Sequence, residues 1–169
     1  MPTLTDFQKA NAPLAEELSG MDATTRLDVA LHLVTAAWGN VCHELVIWEA
    51  STQPIGSWRE LAECLQAVAM LSNVTATDLS RVVSGGPDTD LAAWQNEPVK
   101  ITLLHAIIEV SKQLGLAHGY MADRLLEQNG VEYQALAPLI KALMDGLRLA
   151  ARLLNVDMAG SVAATSIGK

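Results

Sequence analysis

Residues 24–50, TTRLDVALHLVTAAWGNVCHELVIWEA, constrain this chain more than any other stretch. Leu27, Leu31, Val34, Trp38, Val41, Leu45 and Trp48 recur at spacings of three and four, the apolar stripe of an α-helix. Four charges interrupt the segment, Arg26, Asp28, Glu44 and Glu49, and Leu33, Ala37 and Ile47 lie off the main stripe. A helix apolar over so much of its girth has to be wrapped by other helices or by a partner chain. The expectation is therefore a helical bundle with this helix at its centre.

The rest of the chain fits that frame. At 169 residues, half of them apolar, it can fill one core without disulfides or metal. Aromatics make up 4%, and Ala and Leu abound, a mix that favours helices over strands. A short helix in two pieces is expected over 5–19, with Pro13 in the first turn of the second piece. Asp22 is placed to cap the long helix, which then runs to about Ser51. Ser57 to Glu60 reads as a capping box opening a helix to about Ser72. Thr77 is expected to cap a short helix over 78–83, before the breaker Ser84-Gly85-Gly86-Pro87. A second long helix is expected from Pro98 to about Gln128, striped by Leu103, Ile107, Val110, Leu114, Ala117, Met121 and Leu125. The last helix should run from Glu132 to Asn155, with Pro138 bending it or marking its true start. The fold class is all-α: one antiparallel bundle of about four main helices plus short ones over 1–156, followed by a flexible tail over 157–169.

Composition also sorts partners. Eleven basic residues against nineteen acidic ones give a net charge of −8. Phosphate backbones and anionic lipid surfaces repel such a chain, which disfavours nucleic acid. No segment has the length and apolarity of a membrane span, and the first residues lack the basic-then-apolar pattern of a secretory leader. Cys42 and Cys64 sit inside helical apolar patterns and read as buried free thiols. The expected location is cytoplasmic. The four Trp are expected to anchor a core or an interface.

One polar constellation stands out. Asp28, His32, Ala36, Gly39 and His43 share a face of the first long helix and outline a narrow groove of small residues between two imidazoles. Close helix packing accounts for Gly39 there without a ligand. His32 and His43 stand roughly 16 Å apart at about 1.5 Å per residue, too far to share one ion unaided. His118, on the second long helix, meets this groove if the two helices pack together. His105, Glu109 and Lys112 form a solvent-facing run.

Glu60-Leu61-Ala62-Glu63 resembles the first half of the Glu-x-x-Glu … Glu-x-x-Asp pattern of all-helical nucleotide pyrophosphohydrolases of the MazG kind. No Glu-x-x-Asp follows, and no Glu-x-x-His of a ferritin-like di-iron site is present. No phosphate loop, nucleophile elbow or dinucleotide fingerprint appears either. The leading expectation is a non-enzymatic interaction or scaffolding protein, self-associating through helix faces and needing no cofactor. A divalent-metal-dependent hydrolase of nucleotide-like molecules, with His32, His43, Glu60 and Glu63 as metal candidates, is one alternative. An acidic regulator of a basic or nucleic-acid-binding partner is another.

Overall fold

The computed structural model describes residues 3–50, 58–84, 91, 94, 102–127 and 132–166. All regular structure among them is helical: α1 (Leu4–Ala10), α2 (Ala12–Glu16), α3 (Ala23–Ala50), α4 (Trp58–Val74), α5 (Leu79–Ser84), α6 (Leu103–Glu127), α7 (Ala137–Leu153) and α8 (Met158–Ser166). The fold is an all-α bundle. Its frame is α3 against α4, α6 against α7, α4 against α7 and α3 against α6. No helix among the described residues is long and apolar enough to cross a membrane.

Local chemistry sets the helix ends. Thr3 and Asp6 form a capping box that starts α1 at Leu4, one residue before the expected start. Asp22 caps α3, its Oδ1 accepting from the backbone N–H of Thr24 and Thr25 at 3.1 and 3.0 Å. At the end of α4, Ala76 takes φ 53° and the Thr77 N–H donates back to the Ser72 carbonyl at 2.8 Å. Asn155 repeats this left-handed stop after α7, with Val156 donating to Ala151 at 2.8 Å. The cap of α5 is Asp78, which accepts from the Ser80 N–H, rather than Thr77, whose hydroxyl is engaged with that of Thr75 at 2.8 Å. Pro138 sits in the first turn of α7 behind a 3-10 turn at Tyr133–Leu136, so it marks the true start. The capping residue Ser57, the breaker at 84–87 beyond Ser84, and Pro98 lie outside the described residues.

The α3 stripe is buried as expected: Leu27, Leu31, Val34, Trp38, Val41 and Leu45 are each at most 3% exposed. The centre of the bundle, however, is α4. Leu61, Ala62, Cys64, Leu65, Val68, Ala69, Met70, Leu71 and Ser72 are all buried, and α1, α2, α3, α7 and α8 pack around them. Alanine and cysteine let neighbours approach α4 from several sides. Helix α3 keeps one side open.

The segment 157–169, expected as a flexible tail, contains α8. Met158 and Val162 join the main core cluster, and the helix packs on α4. Asp157 starts it, accepting at Oδ1 from the Gly160 N–H at 3.1 Å. Trp38 and Trp94 are buried anchors, 3% and 0% exposed. The side chains of Trp48, Trp58 and Leu125 lie outside the described residues.

Candidate interaction face on helices α3 and α6

The line Asp28–His32–Ala36–Gly39–His43 runs along α3 as the helical period requires, but among the described residues no helix covers its length. His32, Ala36, Gly39 and His43 are exposed. A Cβ at residue 39 would meet nothing within 4 Å, so intrachain packing is not the reason for this glycine. His43 turns to Glu44, with Nδ1 and Oε1 3.6 Å apart. It takes no part with His32.

The neighbour of His32 is His118 on α6. The two rings stand 5.2 Å apart, centre to centre, with their planes inclined at 72°. Hydrogen bonds hold both rings. His32 Nδ1 lies 2.9 Å from the Asp28 carbonyl, which can only accept, so Nδ1 donates. The Thr35 hydroxyl donates to the Leu31 carbonyl at 2.7 Å and therefore accepts from His118 Nε2 at 2.9 Å. In the neutral form of each ring the network therefore places the His32 proton on Nδ1 and the His118 proton on Nε2, opposite tautomers.

The face continues along α6. Leu104, Ile108, Ser111, Gly115, Gly119 and Ala122 follow one another at spacings of three and four, on one side of the helix. Leu104 and Ile108 are 68% and 58% exposed. Gly115 and Gly119, like Gly39, have open space where a Cβ would sit. On α3, Val46 adds another apolar side chain, 64% exposed. The contrast is Gly146 on α7, where a Cβ would lie 2.7 Å from Cη2 of Trp38. That glycine serves the core; the other three meet nothing among the described residues.

On α6 the charges beside this face are paired. Lys112 Nζ reaches Glu109 Oε2 at 3.6 Å, as the solvent-facing run suggested. Glu109 also accepts from Gln113, and this bond above all holds its carboxyl below the usual range.

Glu60 and Glu63 lie elsewhere, on α4. Glu63 accepts from Arg59 Nε at 2.8 Å. It also borders a shallow apolar hollow of about 300 Å³ with Leu14, Leu18, Leu33 and Met70. Among the described residues no three His, Cys, Asp or Glu side chains are grouped so that they could hold a metal ion. The four metal candidates, His32, His43, Glu60 and Glu63, are therefore not brought into one site. Cys42 is half-buried and Cys64 buried, both as free thiols, and burial raises both above the ordinary thiol range. The packing of α3 on α6 brings His118 to the groove, as the sequence allowed; the ring-to-ring contact with His32 is what the structure adds. No protein-family model matches the chain, and neither the curated proteins nor the solved structures give a match.

Proposed function

We propose that this chain is a non-enzymatic, cytosolic interaction protein that self-associates through the outer face of α3 and α6. The observation that carries the reading is the set of three mid-helix glycines, 39, 115 and 119, open to solvent beside exposed Leu104, Ile108 and Val46. Each glycine costs a helix about 1 kcal/mol relative to alanine, and no contact among the described residues accounts for it. Missing side chains let a second helix approach closely, and the neighbouring apolar residues gain by leaving water. A second copy is the occupant because the α6 row of the face, Leu104, Ile108, Ser111, Gly115, Gly119 and Ala122, carries no charge in a chain of charge −8. Elsewhere like charges would oppose association.

Sedimentation equilibrium over a wide concentration range tests this. The expected result is reversible association that Leu104→Glu with Ile108→Glu abolishes while far-UV circular dichroism stays unchanged. A monomer at the highest concentrations, or association indifferent to these changes, refutes the proposal.

A further inference from the structure

The geometry points to a two-histidine site for a borderline transition-metal ion, bound through His32 Nε2 and His118 Nδ1. It does not depend on self-association, since both ligands come from one chain.

The tautomers carry the argument. A neutral imidazole binds a metal through the nitrogen without the proton. The Asp28 carbonyl fixes the proton of His32 on Nδ1, and Thr35 fixes that of His118 on Nε2. In its neutral form each ring is left with one unprotonated nitrogen, and its other nitrogen is anchored to a backbone carbonyl or a hydroxyl. This is the arrangement in which metal-bound histidines are held, the outer bond orienting the ring and raising its basicity.

Spacing agrees. Two imidazoles sharing a tetrahedral zinc at bonds of about 2.0–2.1 Å have their ring centres about 5 Å apart. The observed separation is 5.2 Å. The rings come from different helices, so the pair is set by the packed bundle rather than by one helix turn. His32 is exposed and His118 half-buried, which leaves a path from solvent. Imidazole nitrogens select zinc, copper, nickel or cobalt, whereas magnesium and calcium require oxygen ligands. With two protein ligands, water fills the remaining positions, and the ion stays open to exchange.

The test is calorimetric titration of the full chain with Zn²⁺ or Ni²⁺, below the concentration at which any association sets in, alongside Mg²⁺. The expected result is saturable binding of one ion per chain, with no heat from Mg²⁺. His32→Ala and His118→Ala should each weaken binding at least tenfold, while His43→Ala and His105→Ala leave it unchanged. Thr35→Val keeps both ligands but releases the His118 ring, and should weaken binding by roughly tenfold. Thermal melts without metal check that each variant folds. Absence of saturable binding, or binding that survives in the His32→Ala, His118→Ala double variant, overturns the proposal.

Discussion

Gly146→Ala should destabilise the fold even though alanine is the better helix former. In the middle of an exposed helix the replacement gains about 0.5–1 kcal/mol, because glycine loses more backbone freedom on folding. At residue 146 the new Cβ would lie 2.7 Å from Cη2 of Trp38 and 3.2 Å from Cζ3. Comfortable carbon contacts begin near 3.5 Å, so ring or helix must retreat by close to 1 Å. Trp38 is 3% exposed and has little room to do so. Overpacking of this kind costs about 1–3 kcal/mol, which outweighs the helical gain and leaves a net loss of up to about 2 kcal/mol. Gly39→Ala is the internal control, since its Cβ enters open space and the full gain should appear. Thermal unfolding of both variants, followed by circular dichroism at protein concentrations where the chain is monomeric, reads the difference. The two should move in opposite directions, each about 2–4 °C in Tm per kcal/mol for a chain of this size. Trp38→Phe shortens the ring and should relieve Gly146→Ala in a double-mutant cycle. The indole N–H of Trp38 has no hydrogen-bond partner among the described residues, so its removal breaks no bond seen there. If Gly146→Ala stabilises as much as Gly39→Ala, the account of this contact is wrong.

Gln8 joins α1 to the corner between α4 and α5, its amide donating to the Thr77 carbonyl at 2.6 Å and accepting from the Leu79 N–H at 3.0 Å. Gln8→Ala should cost about 1–3 kcal/mol in urea unfolding, since both backbone groups lose their partner in a half-buried place; a change below about 0.5 kcal/mol contradicts this. Neither thiol should react quickly with Ellman's reagent in the folded protein at pH 8, with Cys64 the slower, and both should react at once in guanidinium. Rapid modification of Cys64 under native conditions would place it wrongly in the core. The side-chain bond from Thr25, followed by those from the backbone, holds the Asp22 carboxyl below the usual range. A depressed carboxylate adds stability that is complete above its unfolded pKa and is lost as pH falls through the folded value. Asp22→Asn should therefore flatten the fall in stability below about pH 4, as followed by melts from pH 6 to pH 2; an unchanged slope would remove Asp22 as a contributor.

Much of the fold was legible because long helices announce themselves by period. The six described stripe residues of α3 from Leu27 to Leu45 are all buried, and Asn155 ends α7 as a residue tolerant of the left-handed conformation should. Helix α8 escaped because Ala159, Gly160, Ala163 and Ala164 give it no broad apolar stripe, although Asp157 as a cap was a visible signal. The central place of α4 was hidden for a related reason: small residues carry little hydrophobic weight yet permit close contact on many sides. At the candidate site, the contact of His32 with Asp28 follows from four-residue spacing. The junction of His32 with His118 spans 86 residues of chain and exists only once α3 and α6 have packed. The solitude of His43 was calculable from helical rise alone.

The position of α4 also dictates an order of assembly. Helices α1 and α2 precede it in the chain, α7 and α8 follow it, and all four pack on it. A growing polypeptide at a ribosome can pair α3 with α4 early, but one side of α4 stays wet until residues 158–166 emerge. The bundle closes by joining distant parts of the sequence, a slow step compared with forming any one helix. A chain released after residue 157 would carry that uncovered apolar side permanently, and premature termination would yield an aggregating species rather than a slightly smaller bundle.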